Sequence, residues 1–560
     1  MGSILKRLRY DERKYMFHFY SSIYSSAVAD PHSSRLPDPV PPAPPTLPLS
    51  PLYPSLITNL PHPIMAYRDF LFPPSTPLYT PASTILEYLQ AYARKFDLRE
   101  HIRFYTEVEN TRFEVRETAE DPRTETAQGR TSRWTVITRD TNTDNRHNHS
   151  NIDTLILANG RVHLPHFPTS TVLRSSRDDP LPIPGLDQWL QAQRAMHTTY
   201  YRTPPPYYHG STVLVVGNGP SARDIAAEIA PVTRVVWRSV RSRPRTTSET
   251  EESQGSTSSG PVVKEVSSKL TSPKVDGPSI RFCSPIASLG PPPLTTDNGK
   301  SHALDDSTPN VFLADGQSLT VDYIILGTGY EDSFPFLSEE ILDRHGNSNV
   351  DIQTKTSGYT DHQDEKKPLS SFPFSLSPLL YHLLPSSHLL PLGSLFILGL
   401  PRRIVPFPLF EAQCRLLTAT LQGHGQLSHI FQKQHLRSGH HPYSGGDDPG
   451  DATHGAQELS CRYHLLKPPG EQFDYRQLLI RLSIDATKAE ETRIEEERMV
   501  PAWHRTVYER KAVLRDVWRE LERRGMGEEV VRGVGEGANG EMEWKELIER
   551  LLREHIELRN

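Results

Sequence analysis

The feature that most constrains this chain is one run, Ser211-Thr-Val-Leu-Val-Val-Gly-Asn-Gly-Pro-Ser-Ala-Arg-Asp-Ile-Ala-Ala-Glu-Ile-Ala230. An apolar stretch, Thr212–Val216, closes on Gly217-x-Gly219-x-x-Ala222, and Ile225 and Ile229 then recur at helical spacing. Strand, bare turn and helix in that order admit few folds. Gly217 permits the tight turn, Gly219 lets backbone approach a diphosphate, and Ala222 lets the helix sit close to the strand. The start of such a helix offers free N–H groups and a positive dipole end to phosphate. A second apolar run, Arg234–Trp237, follows at the distance of a neighbouring parallel strand. An NAD site wants a carboxylate at the end of that strand. Arg238 stands there instead, with Arg241 and Arg243 close by, and a guanidinium can pair bidentately with a 2′-phosphate. The run predicts an NADPH-binding unit; solvated arginines without a ligand are the other reading of these side chains.

Two more apolar runs end in glycine. Thr154–Ala158 closes on Asn159-Gly160, and Tyr323–Leu326 closes on Gly327-Thr328-Gly329. Runs of this kind are expected as buried parallel strands whose carboxyl ends meet a ligand, which makes the fold class α/β. Elsewhere Ile85, Tyr88, Leu89, Tyr92, Ala93 and Phe96 predict a helix over Thr84–Asp97. Thr106–Val115 and Arg133–Thr138 alternate as strands do. The 560 residues suffice for two to four domains. The 50 prolines and a mean hydropathy of −0.53 assign much of the chain to loops. Residues 36–54 are proline-rich, and Arg241–Leu304, Gln353–Phe374 and Ser438–Glu458 read as surface insertions. The last of these holds His440, His441 and His454, without the spacing of a metal site. From Ala486 to Asn560 the chain is charged, with Val513, Val517 and Leu521 at helical spacing, and predicts solvated helices packed on one face.

Several function classes are excluded. A net charge of −6, from 62 basic and 68 acidic residues, gives no electrostatic case for nucleic acid or an anionic membrane. Cys283, Cys414 and Cys461 lie far apart, which argues against a disulfide scaffold, a zinc site or a dithiol reductase. No secretory signal follows the basic Met1–Lys14, and Lys6 stands where a myristoylation site after Gly2 would want Ser or Thr. Leu376–Leu400 is broken by Pro385 and Pro391 and is too interrupted to span a bilayer. The expectation is a soluble, cytoplasmic protein with a small-molecule substrate.

Six stretches, taken in order, resemble the flavin-containing monooxygenases and particularly their fungal branch. They are Tyr53–Met65 with Asp69-Phe70 and the helix after it; Leu157–Gly160 with Pro165 and Pro168; Pro184-Gly185 leading to His197 and Tyr201; the Gly217–Ala222 loop; Asp322–Leu337; and Phe396–Arg402 running on to Pro408, Glu411 and Gln413. The resemblance implies two dinucleotide-binding (Rossmann-like) domains, with an NADPH domain inserted into an FAD domain. The implied partition is an atypical segment 1–50, FAD domain 51–205, NADPH domain 206–321 with a disordered insertion near 241–304, FAD domain again 322–485, and a tail 486–560. It also implies that NADPH reduces FAD, that O2 adds to give a C4a-hydroperoxyflavin, and that a soft nitrogen or sulfur nucleophile takes the oxygen. Asn59 matches the family's active-site asparagine, an amide that donates and accepts without titrating; a turn-forming Asn before Leu60-Pro61 is the other reading. Thr58 and Leu60 would flank the cofactors, as would Asn159 and Gly160; Ser221, Ala222, Arg223 and Asp224 match the stretch that touches NADPH, and Thr328 and Gly329 would lie at the junction of the domains.

Two departures accompany the resemblance. The linker before His197 carries Gln191 and Gln193 where the family has an aromatic residue and a glycine, which weighs against the ketone-oxidising (Baeyer–Villiger) subclass. No glycine occurs between Gly2 and Gly129, so the usual FAD phosphate loop is absent and the FAD domain reads as truncated or degenerate. An incomplete start, with poor solubility as its consequence, is the favoured explanation. A relict that binds NADP(H) without catalysing is the alternative.

Overall fold

The structure, a computed structural model, describes residues 15–17, 51–117, 130–169, 182–241, 280–293, 308–338, 341–343, 369–372, 375–377, 379–385, 390, 393–427, 466, 470–485, 487–537 and 539–557. Arg243, Cys461, the three histidines 440, 441 and 454, and most of the three insertions lie outside them. In chain order the elements used below are β1 (Tyr15–Phe17), α1 (Ala82–Lys95), β2 (Thr106–Glu117), β3 (Arg130–Asp140), β4 (Arg146–Ile152), β5 (Thr154–Leu157), β6 (Ala195–His197), β7 (Thr212–Val216), α2 (Pro220–Ile229), β8 (Val235–Ser239), β9 (Ile280–Cys283), β10 (Ile286–Leu289), β11 (Val311–Leu313) and β12 (Tyr323–Leu326), followed by β13 (Leu395–Ile397), α3 (Pro406–Leu421), α4 (Glu471–Ser483), α5 (Ala489–Met499), α6 (Ala502–Glu509), α7 (Lys511–Arg523) and α8 (Gly540–Glu557). The described residues form two compact units, one within Met1–Tyr24, Ser55–Leu164 and Tyr330–Asn560, the other within Ser25–Pro54 and Pro165–Gly329.

The second unit is built on a five-stranded sheet in the order β9-β8-β7-β12-β6, every pairing parallel. Val213, Leu214 and Val215 of β7 and Ile324, Ile325 and Leu326 of β12 are fully buried. Continuous apolar runs are what a parallel sheet covered on both faces requires. From β7 the chain steps outward through β8 to β9, while β12 and β6 lie on the other side of β7. The order therefore reverses between β7 and β12, and a crevice opens at such a point outside the carboxyl ends of the strands.

Two sequence expectations are corrected here. The span read as a disordered insertion, 241–304, contributes β9 to this sheet and β10 to a small antiparallel sheet with β11. Only two or three residues in each strand are apolar, and Pro285 and Pro291 flank them, so the local pattern gave no strand signal. The boundary expected at 321 falls instead after Gly329, because β12 pairs with β7 in register Tyr323 to Val213.

The first unit has a parallel sheet in the order β1-β5-β13, with β5 and β13 buried. Tyr15 pairs with Thr154, so a strand does lie beside β5 within a segment that matched nothing in the sequence reading. On β3, Trp134, Val136 and Thr138 alternate inward with a period of two. Trp134 packs with Phe334 and Leu395 and donates its Nε1–H to Ser394 O at 2.7 Å. The opposite face of this hairpin carries the Arg139–Glu109 and Arg146–Glu109 ion pairs.

α1 starts behind the extended Pro81 and stops where Asp97 turns left-handed, and it buries Tyr88 and Tyr92 one turn apart. The charged tail forms α5 to α8, which close a core with Leu60, Ile64, Leu78 and Tyr79. On α7 the buried side chains are Leu514 and Trp518; Val517 and Leu521 sit at the margin, and Val513 is exposed. The stripe is thus turned one residue from the spacing first read, because the tryptophan offers more apolar surface than a valine. No helix among the described residues is long and apolar enough to cross a membrane.

Candidate functional site

In the second unit β7 delivers the chain into Gly217, whose φ is +116°. A Cβ there would stand 2.4 Å from Gly327 O, the first residue after β12. Gly327 in turn touches Ala222: its own Cβ would lie 2.7 Å from the Ala222 Cβ. The two strand ends and the start of α2 are therefore drawn together at the point where strand order reverses, and each contact needs a small residue. Asn218, Gly219 and Pro220 are exposed, and a Cβ at Gly219 would meet nothing within 4 Å. Backbone here is open to a ligand. Pro220 occupies the first turn of α2, where a missing N–H costs nothing, and the following N–H groups face the turn. Ser221 and Asp224 are half-buried, Arg223 is exposed, and Ala222 is buried against Gly327.

Arg238 lies on β8 at 7% exposure. Its Nη2–H donates to Asn218 Oδ1 at 2.6 Å, and its guanidinium carbon lies 5.1 Å from the centre of the Phe282 ring. No carboxylate among the described residues pairs with it, and its Nε has no hydrogen-bond partner among them. Burial and the neighbouring Arg223 cation both lower its pKa. A buried guanidinium of this kind, held beside a second cation at an open glycine turn, has the charge and the donors that an anion would need. Arg241 is exposed at the strand's end.

Thr328 Oγ1 donates to His166 O at 2.5 Å, and His166 N–H donates to Gly329 O at 2.9 Å, closing the end of this unit. Gly329 has φ +89° with open space where a Cβ would be. His197 is fully buried, its Nδ1 accepts from Thr199 N–H at 3.1 Å, and burial pushes its pKa down to about 4. It is a neutral ring fixing the turn after β6. Gln193 has φ +55° at the place where the family resemblance expected glycine.

In the first unit the residues read as cofactor contacts gather at two places. Thr58 N–H donates to Thr80 O, and Thr80 N–H donates back to Thr58 Oγ1, which fixes the segment that presents Asn59 as an exposed side chain. Leu60 is buried among core residues, so its side chain supports the segment from below. At the end of β5, Asn159 Nδ2 donates to Ser333 O at 3.1 Å, and Gly160, at φ +75°, leaves open space. Sequence reasoning missed Asp332, a buried carboxylate between Arg161 (3.5 Å) and Arg402 (3.4 Å) beside this strand end. Burial raises its pKa against the opposing pull of the two arginines. Asp332 and Arg402 stand in different stretches of the chain, and only the fold brings them together. The described cysteines, Cys283 and Cys414, are buried with thiols pushed up to about 12 and 11, which keeps them unreactive.

The FMO-like family, flavin-binding monooxygenase-like, matches residues 48–253, a span that holds Asn59, Gly160, the glycine turn and Arg238. The chain is thus similar to flavin-containing monooxygenases over this span. Among its curated relatives, flavin-containing monooxygenase FMO GS-OX-like 2 of Arabidopsis thaliana is 28% identical over 477 residues, covering 83% of this chain and 78% of the relative. The thiol-specific monooxygenase of Saccharomyces cerevisiae is 25% identical over 369 residues, covering 65% of this chain and 64% of the relative. The solved S-allyl-L-cysteine S-oxygenase of Allium sativum shares the α/β fold at a TM-score of 0.51 and 21% identity, over 98% of this chain and 91% of that one.

Proposed function

We propose that this chain is a monooxygenase that uses NADPH, FAD and O2 to oxygenate soft nitrogen or sulfur nucleophiles of small molecules. The observation that carries the reading is the open Gly217–Gly219 turn with a buried Arg238 at its edge that has no carboxylate partner among the described residues, in a chain similar to flavin-binding monooxygenases. In this reading the second unit is the NADPH-binding, Rossmann-like domain. Its backbone at Gly219 and the N–H groups of Ser221, Ala222 and Arg223 take the pyrophosphate, and Arg238 takes the 2′-phosphate. The first unit is the FAD-binding domain, with the β5 end at Asn159-Gly160 against the flavin nucleotide.

The residues present fit NADPH throughout. They fit FAD at the open Gly160, but no glycine lies between Gly2 and Gly129 to make a phosphate turn after β1. FAD, when bound, supplies the electron storage and oxygen chemistry. The protein's part is to bind and orient. Asn59, exposed at the end of a segment pinned by Thr58 and Thr80, offers a donor and an acceptor that do not titrate. Sulfur as the oxidised atom is supported by the yeast relative, whose name gives thiols as its substrates.

The lack of that glycine turn favours a second reading, a protein that binds NADP(H) and no longer catalyses. The visible spectrum of the purified protein separates the two. A bound flavin band, with NADPH-driven O2 uptake that rises on adding a small thiol, is expected of the enzyme. A colourless protein that binds NADPH without consuming O2 is the relict. Asn59→Asp should leave NADP+ affinity within about twofold while most NADPH oxidation goes to peroxide, since a carboxylate cannot donate. Unchanged coupling would remove Asn59 from the site.

A further inference from the structure

The side chain of the residue between the two glycines of the turn reaches Arg238. Asn218 Oδ1 accepts from Arg238 Nη2 at 2.6 Å, a contact that only the oxygen of the amide can make, because a guanidinium donates and never accepts. On the adjacent strand Phe282 stands in register with Arg238 and places its ring 5.1 Å from the guanidinium carbon. Amide and ring together confine the group, and neither carries charge. That neutrality matters. Arg238 is 7% exposed, has no carboxylate partner among the described residues, and feels the Arg223 cation across the turn. A carboxylate in place of the amide would hold the guanidinium equally well but would also neutralise it.

We propose that Asn218, assisted by Phe282, is a positioning residue for cofactor choice: it fixes Arg238 at the glycine turn with its positive charge unspent, so that a nucleotide carrying a 2′-phosphate is selected over one without it. This rests on the reading that Arg238 receives the 2′-phosphate. A purely structural role for Asn218 makes the opposite ranking of variants. Asp preserves an acceptor at the same place and should then be milder than Ala; if the unspent charge is what counts, Asp is the worse change.

The test titrates the full-length protein with NADP+ and with NAD+, alongside Asn218→Ala, Asn218→Asp, Phe282→Leu and Arg238→Ala. Asn218 is exposed, so its variants should fold, and unchanged NAD+ affinity reports that the turn is intact. Asn218→Ala should weaken NADP+ about tenfold and Asn218→Asp about a hundredfold, with NAD+ within about twofold for both, as expected for loss of orientation and then of charge. Phe282→Leu should weaken NADP+ by about threefold. The proposal is overturned if Asn218→Asp binds NADP+ as well as Asn218→Ala, or if NAD+ weakens in step with NADP+. Arg238→Ala tests the reading beneath it. If that variant abolishes the preference for NADP+ while the Asn218 variants keep it, only the role of Asn218 is lost. If Arg238→Ala leaves the preference intact, the assignment of the 2′-phosphate to Arg238 fails.

Discussion

The two parallel sheets of this protein are alike in their strands and unlike at their ends. β7 and β12 are as deeply buried as β5 and β13, and all four are short apolar runs. In the second unit the strand ends are forced against one another. Gly217 cannot carry a side chain because Gly327 O is there, and Gly327 cannot because Ala222 is there. In the first unit Gly160 turns left-handed into open space, and order at the strand end comes from polar groups: Asn159 on Ser333 O, and Asp332 between two arginines. One end is a close-packed turn set by size. The other is a polar junction assembled from distant parts of the chain.

The sharpest way to break this comparison is a matched pair of substitutions. Gly217→Val adds a β-branched side chain at φ +116° and drives it into backbone, which cannot yield as a flexible side chain would. It should abolish measurable NADP+ binding and cost on the order of 3–5 kcal/mol of stability. Gly160→Ala pays only the left-handed penalty, about 1–2 kcal/mol, because nothing stands in the way. Equal effects in urea titrations of the two variants would show that the strand ends are not different in kind.

That asymmetry also decides what could be read from the sequence. The second unit's candidate site is contiguous: strand, turn, helix and next strand occupy one run, so the small residues Gly217, Gly219 and Ala222 and the place of Arg238 on the next strand are legible from spacing. Its partners on β9 were not, since Phe282 lies in a Ser-, Thr- and Pro-rich span with too short an apolar pattern to declare a strand. In the first unit almost nothing is contiguous. Asp332 was visible only as part of a family-like stretch, and its pairing with Arg161 and Arg402 depends on the β5 and β13 ends being neighbours. The tail was legible as helix but not as core, because helical spacing does not reveal that Trp518 and Trp544 close over Leu60 and Leu78.

The next largest effect should fall on that core. Trp518 is 1% exposed and donates its Nε1–H to Glu522 Oε1 at 2.7 Å. Trp518→Ala should cost about 3–5 kcal/mol, read as a lowered urea midpoint, if α7 belongs to the first unit's interior. A loss below about 1 kcal/mol would return the tail to the status of solvated helices. Partial proteolysis of the variant should release the first unit's segments ahead of those of the second.

Acid should act unequally on the two units. Burial pushes His62 down to about 3 and His382 down to about 4, and lowers His504, all in the first unit; His197, at about 4, is in the second. An unfolded chain protonates these rings near pH 6.5. Between about 6.5 and 4 the unfolded state therefore binds more protons than the folded one, so stability is full above 6.5 and falls as pH drops. Each ring contributes at most about 1.4 kcal/mol per pH unit. His62 packs between Phe72 and Trp544, so His62→Phe should keep the contact and flatten this slope by one ring's share. A slope unchanged in the variant would mean that His62 titrates normally in the folded state.

The smallest effect bears on the linker that departs from the family pattern. Gln193 holds φ +55°, a conformation in which a side chain costs about 1–2 kcal/mol and glycine costs almost nothing. Glycine there enlarges the freedom of the unfolded chain, which returns roughly 0.4–1 kcal/mol of that gain. Gln193→Gly should therefore stabilise the protein by about 0.5–1 kcal/mol, a rise in thermal midpoint of a degree or two, with NADP+ affinity unchanged. The backbone after Trp189 has then kept the shape a glycine would give it, and the departure in sequence is a conformational penalty carried by the fold. Should Gln193→Gly instead destabilise the second unit or shift NADP+ affinity, the glutamine side chain itself is in use, and the linker has diverged in function as well as in sequence.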